Sequence, residues 1–413
     1  MTTLQKNSIH QVTVENYSSE GMGVARIDGQ VVFIHRALAG EVCDIQIIKI
    51  QKNIAFARVV EVVTPSAHRR EPDCPWYGRC GGCDFRHMDY AEECAAKRQR
   101  VQDALTRVGG SDVVLEEFYG AADTLHYRNK SQYPVSADGR IGFYKARSHE
   151  VVEVEACQIQ HSAADATAAA VRAYLKKYAV TTYDEKTGKG LLRHVYTRVN
   201  RQGECLCCLL VNGPRLPHER DLVDIIRHHV PETVGVVVGV NRKSGNVILG
   251  DRYRTLLGQD YLMDTLCGFS FRLSVPSFYQ VNTAQAETLY NKALEFAALT
   301  GTETVLDLYC GIGTITLCLA RQAGRVIGAE VVPEAVADAE DNAARNNVEN
   351  VEFFCGDAAA VAEKLLGEGL RPDVVTVDPP RKGLEEAVVG HIASMAPAKW
   401  STSPATRPPW PGT

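Results

Sequence analysis

The residues best suited to chemistry begin at Asp307. There an apolar run, Thr304 to Leu308, passes into a D-x-x-x-G-x-G loop made by Asp307, Gly311 and Gly313. Glycine in such a turn lets a ligand approach the backbone, and an acidic residue ending the next strand, here Glu330, can accept ribose hydroxyls. The loop is not the pyrophosphate fingerprint G-x-G-x-x-G. Asp307 would repel a phosphate, whereas it suits a ligand with amino and sulfonium cations, so S-adenosylmethionine fits better than a nicotinamide or flavin dinucleotide. Asp357, in FFCGDAAA, ends a further strand where an adenine edge would lie, and DVVTVDPPR ends a fourth at Asp378. In an open α/β sheet these strand ends face one crevice.

A second set is Cys74, Cys80 and Cys83, spaced C-x5-C-x2-C in CPWYGRCGGCDF. The glycines permit a tight loop, thiolates are soft ligands, and Cys157 in EVEACQIQ is the best fourth candidate. Spacing alone leaves an iron–sulfur cluster, zinc and unligated thiols all open. With thirteen cysteines in a chain without a visible leader, disulfides are not the expected use, and the others read as small buried hydrophobes.

The elements that must carry these residues can be read from periodicity. Residues 9–63 alternate with strand period and are broken by Asp28-Gly29 and Ala39-Gly40, which predicts about five short strands in a barrel of OB type. A helix within 84–105, a mixed strand region, an Ala-rich helix at 160–178 and a helix near 218–229 follow. Tyr127, Arg128, Lys130, Tyr133, Arg140, Phe143, Tyr144, Lys145 and Arg147 interleave aromatic and cationic groups, which can stack bases and hold phosphates or simply face solvent. The expected class is α/β and β, in four segments. These are a barrel at 1–63, a central α+β domain with the cysteines at 64–262, a Rossmann-like domain at 263–399, and an aberrant tail at 400–413. A net charge of -5 argues only weakly against nucleic acid, because binding depends on local patches. No apolar run reaches membrane-spanning length, so a cytoplasmic protein is expected.

Several of these phrases together resemble the RNA (uracil-5-)-methyltransferase family. Gly21 to Arg26 and Val32 to Glu41 resemble its TRAM domain, and HYRNKxQ its central domain. FYQVN at 278–282, DLYCGIGTITL at 307–317, Glu330, Asp357 and DPPRKG at 378–383 resemble its methyltransferase domain. The resemblance implies that Gln280, Tyr309, Thr314, Glu330, Asp357 and Asp378 hold S-adenosylmethionine. Thr314 is a mild departure from the family's frequent Asn. It also implies a [4Fe-4S] cluster on Cys74, Cys80, Cys83 and Cys157, and RNA as partner, 23S ribosomal RNA rather than tRNA. A monomer without membrane attachment is expected.

Methylating uracil at C5 needs a nucleophile, because C5 alone is too weak to attack a methyl group. A thiolate adding at C6 makes an enolate, and a general base later removes the C5 proton. The resemblance places that cysteine in a YVSCxP-like strand end just beyond DPPRKG, where this sequence reads WSTSPATRPPWPGT. With one base added upstream, degenerate codons for that tail permit VVYVSCDPATLARD, whose cysteine falls at Ala405. A lost reading frame is therefore expected, leaving the chain without its nucleophile and with the general-base Glu beyond its end.

Overall fold

The computed structural model describes residues 4–380 and 382–402. They divide into two compact units, Met1–Thr124 with Tyr144–Val152, and Leu125–Phe143 with Glu153–Thr413. Among the described residues, no helix is long and apolar enough to cross a membrane.

The first unit is built on strands β1 (Ile9–Thr13), β2 (Asn16–Tyr17), β3 (Gly23–Ile27), β4 (Gln30–His35), β5 (Val42–Ile50) and β6 (Ile54–Thr64), in the order β1-β5-β6-β4-β3-β2. The sixth strand beyond the expected five is the two-residue β2. Asp28 and Gly29 both have positive φ (48° and 84°), the backbone a two-residue hairpin between β3 and β4 requires. Alternate residues Val32, Ile34, Cys43, Ile45, Ile47, Ala55 and Ala57 are buried and fill one face. Glu15 N–H donates to Val24 O (2.7 Å), so the chain after β1 turns back onto β3 and the sheet curls. Helix α1 (Tyr90–Asp103) starts at Asp89, whose side chain accepts the Glu92 N–H. Two of its basic residues are paired locally, Lys97 with Glu93 and Arg98 with Leu115 O.

The iron–sulfur expectation is corrected here. Among the described residues, no three His, Cys, Asp or Glu side chains are gathered so as to hold a metal ion. Cys74, Cys80, Cys83 and Cys157 therefore assemble no [4Fe-4S] ligand set. The CGGC run serves backbone packing instead. Gly81 N–H donates to Tyr144 O (2.9 Å), and a Cβ at Gly81 would lie 2.8 Å from Ala146 N. The Cys80 sulfur accepts the Gly82 N–H (3.4 Å). In the other unit, Cys157 N–H donates to Asp165 Oδ2 (2.9 Å). Among the remaining cysteines Cys43, Cys205, Cys207, Cys208 and Cys318 are buried as expected, whereas Cys355 is exposed.

The second unit opens with β7 (Lys130–Pro134), followed by short strands β8 (Gly142–Tyr144) and β9 (Val151–Glu153), where the chain passes between the units in sequence. Helix α2 (Ser162–Tyr178), β10 (Leu192–Val199), β11 (Cys205–Val211), α3 (Glu219–His229), β12 (Thr233–Val240) and β13 (Arg252–Gly258) complete a mixed sheet of order β13-β12-β11-β10-β7. Every residue of β10 and β11 is buried; β11 reads as a continuous apolar run without alternation, whereas β10 also buries Arg193, His194, Thr197 and Arg198. One core cluster joins this sheet to α2 and α3. Another joins it to the hairpin β14 (Tyr261–Leu266) and β15 (Phe269–Ser274), to α4 (Thr283–Ala297), and to Leu317 and Ala343.

The last sheet consists of β16 (Thr304–Leu308), β17 (Arg325–Glu330), β18 (Val351–Cys355), β19 (Val374–Val377) and β20 (Lys399–Thr402). All its pairs are parallel, in the order β18-β17-β16-β19-β20. Crossovers are made by α5 (Thr314–Ala320), α6 (Pro333–Arg345), α7 (Ala358–Gly367) and α8 (Glu386–Met395). This is the Rossmann-like arrangement read from the sequence, with the order reversing between β16 and β19. Trp400, Ser401 and Thr402, at the start of the expected aberrant tail, belong to β20, whereas Ala405 lies outside the described residues.

Candidate functional site

Parallel pairing brings the chemical residues to one edge. Leu308 is registered with Ala329 on one side and Val377 on the other, and Glu330 is registered with Cys355. The loops after these strands, holding Tyr309 to Gly313, Glu330, Asp357 and Asp378, therefore emerge side by side at the strand carboxyl ends, flanking the switch point.

Glu330 is fixed from both sides. Its Oε2 accepts the Gly311 N–H (3.1 Å) and its Oε1 accepts the Val332 N–H (2.9 Å). A carboxylate has about four lone-pair sites, so two remain for a diol. Tyr309 lies at φ 67°, uncommon for a bulky residue and a form of strain found at ligand sites. At Gly313 (φ 82°) a Cβ would stand 3.1 Å from Leu317 and 3.3 Å from Ala339 in a left-handed backbone, so the turn into α5 favours glycine. Thr314 Oγ1 meets the Tyr290 hydroxyl of α4 at 3.2 Å.

Asp357 caps α7, its Oδ1 accepting from Ala359 N–H at 2.9 Å. Asp378 follows β19, and its N–H donates to Leu308 O at 3.4 Å. Asp307, whose charge was expected to suit a cationic ligand, does not face the loop openly. It is fully buried, with Oδ2 accepting from Thr316 Oγ1 (2.6 Å) and Oδ1 from Thr376 Oγ1 (2.8 Å). Burial pushes it up to about 6, and the negative charges of Asp378 and Glu330 add to the rise. It is a strut tying α5 to β19 beneath the loop.

Gln280 stands on the segment before α4. Its backbone carbonyl accepts from Asn129 Nδ2 (2.9 Å), which also donates to Thr283 Oγ1 (3.0 Å). The HYRNKxQ and FYQVN phrases, far apart in sequence, thus meet. Phe278 beside them is 65% exposed, and the Lys130 ammonium lies 6.0 Å from its ring centre. Burial, with Arg198 and Arg128 nearby, pushes Lys130 down to about 8. The rest of the aromatic–cationic alternation divides between core and surface. Tyr133 is buried against Phe143 and donates to Asp165 (2.6 Å), while Arg140 pairs with Asp138 and Lys145 with Glu150.

Sequence reasoning missed Asn129, Arg198 and Tyr290. Arg198 lies in a fully buried strand that also carries Arg193, His194 and Thr197, so its charge alone did not single it out. Asn129 lies within the HYRNKxQ phrase, but its role, like that of Tyr290, is set by partners remote in sequence.

Comparison with known proteins agrees with this geometry. The family profile described as tRNA (Uracil-5-)-methyltransferase matches residues 240–397, and the TRAM domain profile matches residues 4–60. An uncharacterized RNA methyltransferase of Halalkalibacterium halodurans is 41% identical over 98% of this chain and 90% of its own length. One of Clostridium tetani is 40% identical over 96% of this chain and 87% of its own. The crystal structure of Pyrococcus abyssi tRNA (uracil-54, C5)-methyltransferase in complex with S-adenosyl-L-homocysteine shares the fold at a TM-score of 0.75. It is 22% identical and covers 95% of this chain and 89% of that one. The chain belongs to the RNA (uracil-5-)-methyltransferase family and carries its TRAM domain.

Proposed function

We propose that the edge of β17, β16 and β19 holds S-adenosylmethionine, and that the reaction it serves is methylation of uracil C5 in RNA. The observation that carries this reading is the convergence of Tyr309, Gly311, Glu330, Asp357 and Asp378 at the ends of adjacent parallel strands. Glu330, oriented by two backbone amides, is suited to a ribose diol. Asp357 keeps one carboxylate oxygen beyond its cap for the adenine end. Gln280, Tyr309 and Thr314 complete the wall, and Asp378 reaches toward donor and base. The accumulation of Asp307, Glu330 and Asp378 suits a cationic ligand and opposes a pyrophosphate. When bound, the donor supplies an electrophilic methyl group on sulfur.

The RNA partner is assigned as 23S ribosomal RNA on the likeness of the central part alone, since the cysteine cluster no longer supports it. A cytoplasmic monomer is the proposed form. The TRAM domain and the exposed Phe278 beside Lys130 support contact with RNA. Position 405 is assigned as the place of the nucleophile on the recovered reading frame, in which the cysteine of VVYVSCDP falls there. Alanine has no group to add to C6, so this sequence is proposed to bind donor and RNA without turnover.

The test pairs calorimetry of S-adenosylhomocysteine binding with labelled methyl transfer to 23S and transfer RNA, for this chain and for one with the reading frame restored. Both chains are expected to bind, with transfer to 23S RNA by the restored chain alone. Absence of binding would overturn the donor site, transfer by the Ala405 chain the nucleophile assignment, and preference for tRNA the substrate.

A further inference from the structure

Arg198 is 1% exposed, yet its terminal nitrogens are spent on backbone carbonyls. Nη2 donates to Ser277 O at 2.6 Å and Nη1 to Ser274 O at 3.2 Å. Taking a guanidinium out of water is costly, and only a donor fork of this shape reaches two carbonyls at once. The bridged residues open the segment that carries Phe278 and Gln280. Its other end is held by Asn129, whose side chain donates to Gln280 O and whose N–H donates to Val281 O at 2.8 Å.

The two clamps lie side by side. Arg198 is registered with Lys130 across β10 and β7, and Val199 N–H donates to Asn129 O at 2.8 Å. A third tie comes from the crossover helix α6, where Ser277 Oγ donates to Asp338 Oδ2 at 2.8 Å. The segment is thus pinned between the central sheet and the donor domain, and neither clamp belongs to the site's own strand edge.

Resting on the donor site proposed above, we propose that Arg198 and Asn129 are positioning residues that set the conformation of residues 274–282. Through Gln280 they tune donor affinity. Donor binding and the central sheet are coupled through this one segment.

The experiment is a double-mutant cycle on the full chain, read as S-adenosylhomocysteine affinity by calorimetry. Asn129→Ala and Gln280→Ala are each expected to weaken binding about 10-fold, and the double variant no more than either alone. Arg198→Met is expected to do the same, with partial recovery in Arg198→Lys, which restores one donor to the carbonyls. Should Arg198→Met fail to fold, the Asn129 cycle stands by itself, with melting temperature recorded for each variant. Additive losses in the double variant, or unchanged affinity in Asn129→Ala, would overturn the inference. Failure of the parent chain to bind would instead overturn the donor site.

Discussion

Replacing Asp307 with Asn tests whether this carboxylate is a buried strut or a ligand of the donor. Its carboxyl moves from 3.8 when exposed to about 6 in the fold, chiefly through burial. The folded state therefore holds the proton more tightly than the unfolded one. The associated stability is fully present below 3.8 and is lost as pH rises through about 6. The whole displacement corresponds to about 3 kcal/mol, of which about 1.4 kcal/mol disappears between pH 5 and pH 8. The amide of Asp307→Asn carries no charge to desolvate but has one carbonyl oxygen where the carboxylate has two. One threonine hydroxyl must then turn to accept from the amide, at a cost of about 1 kcal/mol. The variant is expected to be more stable than its parent by about 1–2 kcal/mol at pH 8 and to lose this part of the pH dependence. Urea unfolding of both chains at the two pH values measures it. Equal pH dependence in the two chains, or marked destabilisation of the variant at pH 8, would refute the strut.

Glu330→Gln removes the charge between the Gly311 and Val332 amides and leaves one oxygen for two N–H donors. Affinity for S-adenosylhomocysteine should fall by about 10-fold, or about 1.4 kcal/mol, and unchanged calorimetry would count against the site. Gly328→Ala would put a Cβ 2.7 Å from the Phe353 ring and 3.0 Å from the Cys310 sulfur, with an expected cost of about 1–3 kcal/mol in a melting experiment. Ile34→Ala, at a fully buried position of the curled sheet, should cost about 2–5 kcal/mol of the first unit's stability. Donor affinity should be unaffected, because every proposed donor residue lies in the second unit.

What could be read in advance follows from the range of the interactions involved. The βαβ crossover from Thr304 to Glu330 was legible because buried parallel strands are continuous apolar runs and the turn between them needs glycine. The β3–β4 hairpin was legible because Asp28-Gly29 specifies its own turn. CPWYGRCGGCDF was misread because glycines that let a loop wrap a metal are indistinguishable in sequence from glycines that let backbone pass close to backbone, as Gly81 does at Tyr144. For Asp307 the sequence marks the acidic place beside the loop but not the two threonine hydroxyls that occupy its carboxylate. Arg198 and Asn129 escaped because their acceptors are main-chain carbonyls about 80 to 150 residues away, and any residue supplies a carbonyl.

The most direct test of the chemistry is nucleoside analysis of the RNA product. The gene, read through the Lys399 codon with the added base and its downstream sequence, would be expressed and incubated with RNA and methyl-labelled S-adenosylmethionine, then the RNA digested to nucleosides. Label recovered as 5-methyluridine, and lost when the restored cysteine at position 405 is returned to alanine, is the expected result. Label on a ring nitrogen or on ribose, or transfer that persists with alanine at 405, would contradict it.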